Sequence, residues 1–336
     1  MSGLIHFFGG FLSTVAFMFL MVFALVFLER KVLACFTLRY GPDRAGFKGT
    51  LQGLADIIKL FSKEDNCPET SHRFAFWLAP ILVFSSALVL YFLLPLPGSF
   101  ILLNSEIDLI LFVAVASLFI ISIFLAGYAG NNELSVIGAY RAVLSALAYN
   151  PPILLCILAV AVLAGSFNLK EIVALQWGGI LNWFFIPSFI GFIAFFVSML
   201  ARLNRPPFNF SSNQSELAGG YHMEYSGVKY ALFYIAECAL LFAYTVFFVT
   251  LFLGGYLTPF VSWLLPAKFI FLEQFFWLFL KAFLVIFFII LIRASLPLFT
   301  IDRFLDISYK VILPFSAVNL IIVLVYKVIR SAQWSF

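Results

Sequence analysis

Arg202, Arg205, Glu216, Glu224 and Glu237 crowd into one part of a chain that is only 11% charged. The stretch ARLNRPPFNFSSNQSEL (201–217) adds three asparagines and an adjacent proline pair. Acids and arginines mixed in this way can exchange protons and hold counter-charges. Glu237 stands about two turns inside an apolar run, where an ionisable group is expensive and usually functional. A plainer alternative is a loop whose acids simply pair with Arg202 and Arg205. That alternative is stronger for Glu216 and Glu224, which sit near the run's edge, where ion pairs are worth little. Cys35, Cys67, Cys156 and Cys238 are scattered without a C-x-x-C spacing, and His6, His72 and His222 are isolated, so no metal site is expected.

These groups must be positioned by a membrane scaffold. The 336 residues are 64% hydrophobic, with a mean hydropathy of +1.08. Apolar runs recur at the roughly 20-residue length that crosses hydrocarbon as a helix. The first run lacks the basic start and cleavage site of a signal peptide and is read as a retained helix. The fold class is all-α: a polytopic membrane protein with about eight spanning helices, near 4–28, 74–96, 109–127, 142–164, 183–201, 229–253, 274–293 and 309–329, plus short interfacial helices in its first loop. One membrane unit covers 1–336, with inner-side loops at 31–73, 202–228 and 294–308. On the opposite side, the only basic residues are Lys170, Lys268, Lys327 and Arg330. Apart from Lys229 and Lys281, all the others fall in the loops after helices 1, 3, 5 and 7, which places those loops inside. Asn150-Pro151-Pro152 should kink or break the fourth helix. No internal repeat is visible, which disfavours an inverted-repeat transporter.

The first loop has its own architecture. RYGPDRAG (39–46) is a turn segment. After it, Leu51, Leu54, Ile57, Ile58 and Phe61 recur at helical spacing, with Asp56, Lys59 and Lys63 elsewhere around the turn. A short amphipathic helix of this kind lies along the interface.

LERKVLACFTLRYGPDRAGFKGTLQGLADIIKLFSKED (28–65), IGAYRAV (137–143), NRPPFNFSSNQSELAGGYHMEYSGVKYALFYIAE (204–237) and RASLPLFTIDRFLDISYKVILP (293–314) together resemble the chain 1 family of NADH:ubiquinone oxidoreductase, respiratory complex I, whose bacterial members are its H subunits. The resemblance covers essentially the whole chain. It implies the heel subunit of the membrane arm, with inner loops that wall the ubiquinone tunnel. It also implies that NAD, FMN and iron–sulfur clusters belong to partner subunits, with no cofactor held by this chain and no nucleic acid bound. Expected partners are the hydrophilic quinone-module subunits, the neighbouring membrane-arm subunits, ubiquinone and membrane lipids. By the resemblance, the tunnel and its entrance take Arg30, Arg39, Asp56, Lys59, Lys63, Glu64, Arg205, Phe208, Arg293 and Asp302. Proton coupling takes Glu216, Glu224 and Glu237. An isoprenoid tail wants an apolar tunnel, and quinone reduction consumes protons, so protonatable groups must line the route.

The departures from the family pattern gather in one place. Asn150, Arg202, Asn209, Ser212 and Gln214 stand where the family usually has acids, and Leu298 and Thr300 stand where its last loop is basic. Glu133 is a candidate replacement acid, and Arg202 is expected to pair with Glu216, Glu224 or a neighbouring subunit's acid, or else to turn outward. Tyr230, Tyr234 and Glu133 are candidate bridges between Glu224 and Glu237, and Lys281 either partners Glu237 or faces another subunit. The rival functions are a proton- or cation-translocating subunit, or a structural anchor, of a related membrane oxidoreductase without quinone reduction. The 45 phenylalanines suggest an AT-rich gene and the mitochondrial inner membrane, with a bacterial plasma membrane as the alternative.

Overall fold

A computed structural model describes residues 2–97, 105–260 and 269–333. Its principal helices are α1 (Ser2–Phe36), α2 (Gln52–Ser62), α3 (Arg73–Leu93), α4 (Asp108–Ala129), α5 (Glu133–Ala164), α6 (Leu169–Leu175), α7 (Phe189–Arg202), α8 (Gln214–Leu217), α9 (Gly227–Phe252), α10 (Ile270–Ser295), α11 (Ile301–Ile307) and α12 (Leu313–Gln333). Among the described residues, seven helical stretches are long and apolar enough to cross a membrane. They correspond to seven of the eight expected spans. The protein is an all-α polytopic membrane protein.

The eighth expected span, 183–201, is the short helix α7. The chain before it makes only turns, and the non-helical backbone of Ser188, just after Pro187, starts α7 at Phe189. Its 14 residues make about 21 Å of helix, less than the hydrocarbon thickness. The C-terminal end of α7 is sunk in the protein, and Arg202 there is only 6% exposed. Helix α5 runs unbroken through Pro151 and Pro152, so the prolines do not end it. Asn132 caps its start by accepting from the Leu134 amide at 3.0 Å, and the left-handed Gly165 ends it.

Helix α9 is the axis of the bundle. Within its most apolar window 94% of residues are buried, against 22% for the stretch containing α12, which is therefore peripheral. Rings supply much of the packing around α9. Phe247 stacks on Phe112 of α4 at 3.8 Å between centroids, and Phe248 meets Phe192 of α7 at 4.9 Å. Serine and threonine hydroxyls within the bundle bond back to carbonyls four residues earlier, as in Ser122, Ser198 and Thr245, which satisfies these donors inside their own helices.

Two buried polar residues clamp the C-terminal end of α9, which the basic-residue asymmetry assigns to the outer side. The Gln176 amide donates to the carbonyls of Ile172 and Thr250, and its oxygen accepts from the amides of Phe184 and Gly254. Lys281 of α10 donates to the carbonyls of Leu253, Gly255 and Leu257 at 2.6, 3.0 and 2.7 Å and lies 4.1 Å from the Trp183 ring centre. Neither expected role of Lys281 is seen. It does not meet Glu237, and it turns into this chain as a cation capping a helix C-terminus.

Candidate functional site

The polar loop after α7 folds back over the inner ends of α4, α5 and α9. A close backbone approach makes this possible. Gly220 has φ +68°, and a Cβ there would lie 1.8 Å from the Ser211 carbonyl oxygen; a Cβ on Gly138 of α5 would meet Gly220 Cα at 2.8 Å. Gly220→Ala should therefore cost more than the about 1–3 kcal/mol of left-handed strain alone. Limited proteolysis should cut the 204–226 loop faster in the variant, and equal digestion rates would refute the packing described.

Beneath this loop lies a cavity of about 100 Å³ lined by Arg202, Arg205, Asn209, Tyr221, Glu237 and Arg293, among others. Glu29 of α1 anchors its basic side, accepting from Arg205 at 2.6 Å and also from Arg293 of α10. Burial opposes the charge on Arg205, but the nearby Glu29, with a smaller contribution from Glu237, holds its guanidinium above the ordinary value. Glu237 accepts from the Tyr221 hydroxyl. Burial pushes the Tyr221 hydroxyl well above its ordinary range, and the charge of Glu237 adds to this. His222 lies edge-on to Tyr221 at 4.9 Å and 5.5 Å from the Tyr230 ring, and burial lowers its pKa against an opposing pull from Glu237.

The sequence-derived residues separate into groups. Arg205, Arg293 and Glu237 meet at the cavity. Arg30 pairs with Asp56 at 2.6 Å and also reaches the Tyr234 side chain, tying α2 to α1 and α9. Phe208 is buried among Tyr149, Phe299 and Phe304 at 5.6–6.0 Å. Arg39, Lys59, Lys63, Glu64 and Asp302 are exposed. Glu216 is exposed and pairs with Arg141 of α5 at 2.5 Å. Glu224 accepts from Asn132 at 2.7 Å. Glu133 is exposed at the start of α5 and does not line the cavity, where the Tyr221 hydroxyl bonds Glu237.

Arg202 departs from expectation. Within the chain it meets neither Glu216 nor Glu224, and it does not turn outward. It is buried, donating to the Tyr244 hydroxyl at 3.2 Å and to the Ala116 carbonyl. The cause is that α7 ends at Arg202 inside the bundle, which places the guanidinium among main-chain and phenolic acceptors. Of the five positions where family acids are missing, Arg202, Asn209 and Ser212 line the cavity. The Gln214 side chain lies outside the described residues, as do Lys268 and the His6 side chain.

Sequence reading missed Glu29, Tyr221 and Lys229. Glu29 opens the E-R-K run ending α1, which reads simply as a topology signal. Lys229 is buried, 3.1 Å from Asp65 and 3.7 Å from the Trp77 ring centre, and ties the first loop to α9. The α9 cap residue Ser226 does the same: its hydroxyl donates to the Glu64 carbonyl and accepts from the Asn66 amide.

The fold and the site define a polytopic helical membrane protein with a charged cavity at one end of its bundle, beside an amphipathic loop helix. The profile of the family described as NADH dehydrogenase matches residues 10–324, and the chain belongs to that family. It is 35% identical over 316 residues to the H subunit of the NADH-quinone oxidoreductase of Vesicomyosocius okutanii, covering 94% of this chain and 88% of the relative. It is 37% identical over 310 residues to the protein of the same name from Dehalococcoides mccartyi, covering 92% and 84%.

Proposed function

We propose that the chain is the heel subunit of an NADH-quinone oxidoreductase membrane arm, walling a ubiquinone tunnel and passing the consequence of quinone reduction to proton movement. The observation that carries this reading is the cavity at the inner end of α9, where Arg205 and Arg293 converge on Glu29 and Glu237 lies opposite. Such a cavity can hold a proton or shift charge without exposing ions to lipid. The redox cofactors would sit in hydrophilic partner subunits against the inner loops. The relatives are bacterial, which favours a bacterial plasma membrane over the mitochondrial inner membrane suggested by phenylalanine usage.

Helix α2 frames the proposed tunnel entrance. Its Gly53 packs on Phe23 of α1, and Asp56 meets Arg30, while Leu51, Leu54, Ile58 and Phe61 form an exposed apolar row. Gly49, at φ +84°, makes the preceding turn: a Cβ there would lie 2.0 Å from the Pro42 carbonyl oxygen. A ubiquinone analogue with a photoreactive tail should label residues 40–65 in the assembled complex, and excess unlabelled quinone should suppress the labelling. Labels confined to other subunits would refute the assignment.

A second reading, a structural anchor without coupling, draws on Arg202, Asn209 and Ser212 standing at the cavity in place of acids. Proton pumping by a Glu237 variant separates the two.

A further inference from the structure

The four basic residues on the outer side are not evenly spread. Two of them, Lys327 and Arg330, one turn apart on α12, line a single cavity of about 310 Å³ between α12, the end of α5 and the segment after α6. Its other walls are largely apolar: Leu163, Leu181, Phe184 and neighbours, with Tyr326 at the rim. Lys327 donates to the Val162 carbonyl and so lies against the negative end of the α5 dipole. Arg330 has no hydrogen bond or ion pair among the described residues, and no described carboxylate lies within ion-pair distance of either cation. Asn182 adds an amide to the lining. Both cations are exposed on the least buried spanning stretch, at the level where the helices end.

A guanidinium fork, an ammonium group and an amide above apolar walls match a phosphodiester with acyl chains below it. We propose that this cavity binds the headgroup of an anionic phospholipid of the outer leaflet, with its phosphate between Lys327 and Arg330 and its chains along Leu163, Leu181 and Phe184. A free phosphate would satisfy the cations but leave the apolar walls to water. A zwitterionic lipid would bring its own cation to a site that already has two.

The test uses the intact assembly, purified in mild detergent and stripped of loosely held lipid. It is then titrated with phosphatidylglycerol, phosphatidylcholine or inorganic phosphate while thermal unfolding is followed. Phosphatidylglycerol should raise the midpoint saturably, and the other two should not. The Lys327→Gln/Arg330→Gln double variant should need about thirtyfold more phosphatidylglycerol for half the effect, in line with the electrostatic contribution of two surface cations. Lys170→Gln, on the same side but outside the cavity, should titrate like the parent. Native mass spectrometry should show the matching loss of bound anionic lipid in the double variant only. Equal titration of double variant and parent would overturn the proposal. So would an equal response to phosphatidylcholine, a response to phosphate alone, or a partner protein found seated over Lys327 and Arg330.

Discussion

Glu29→Gln should destabilise the protein by about 3 kcal/mol, near the lower end for breaking a buried ion pair because Arg293 is one-third exposed and partly screened by solvent. The glutamine keeps the shape of the side chain and one acceptor but removes the charge that Arg205 and Arg293 share. Two guanidinium groups then converge on a neutral partner, and Arg205, at 16% exposure, has little water to turn to. Thermal unfolding of the purified assembly reads this directly. A compensating Arg293→Gln in the same chain should recover part of the loss, because it removes the like-charge pair; Arg293→Gln alone should cost less than Glu29→Gln. A Glu29→Gln protein as stable as its parent would show that the three residues do not act as one electrostatic unit.

Glu237→Gln is the second large effect. The substitution preserves size and the capacity to accept from Tyr221, so assembly should be largely intact. It removes the exchangeable proton at the cavity, and loss of a positioned proton-transfer group lowers rates by about 10²–10⁴. Quinone reductase activity coupled to pumping should fall by about tenfold or more, since water in the cavity can substitute in part. Reduction of a quinone at the parental rate with undiminished pumping would remove the coupling role and leave a buried structural acid. The anchor reading predicts that outcome, so the same variant decides between them.

The membrane class, seven spans and the amphipathic loop helix were legible because each rests on a local pattern: run length, basic-residue asymmetry, or apolar spacing. Helix α7 was located but given the wrong start, because hydropathy cannot distinguish the apolar turn at 183–188 from a helix, whereas Pro187 could have. Glu237 was legible as an ionisable group in hydrocarbon. Its partner Tyr221 was not, because the approach depends on a left-handed glycine and a helix–loop contact 82 residues apart in sequence, Gly138 to Gly220. Arg202 was misread for a related reason. Its charge argued for a carboxylate partner, but the depth at which α7 ends decides what the side chain can reach.

The Gln176 and Lys281 clamp gives α9 the mechanics of a lever. Seven hydrogen bonds, all to or from main-chain groups, hold this clamp together, and five of them grip the end of α9 and the turn after it, at Thr250, Leu253, Gly254, Gly255 and Leu257. The inner end is held by titratable side chains, Glu237 with Tyr221 and Lys229 with Asp65. Any tilt of this rod therefore pivots at its far end. Over the 26 residues of α9, about 39 Å of helix, a rotation of about one degree displaces the inner tip by about 0.7 Å. That is a sizeable part of the tolerance of a hydrogen bond, so a small angular change at the fulcrum suffices to make or break contacts at the cavity.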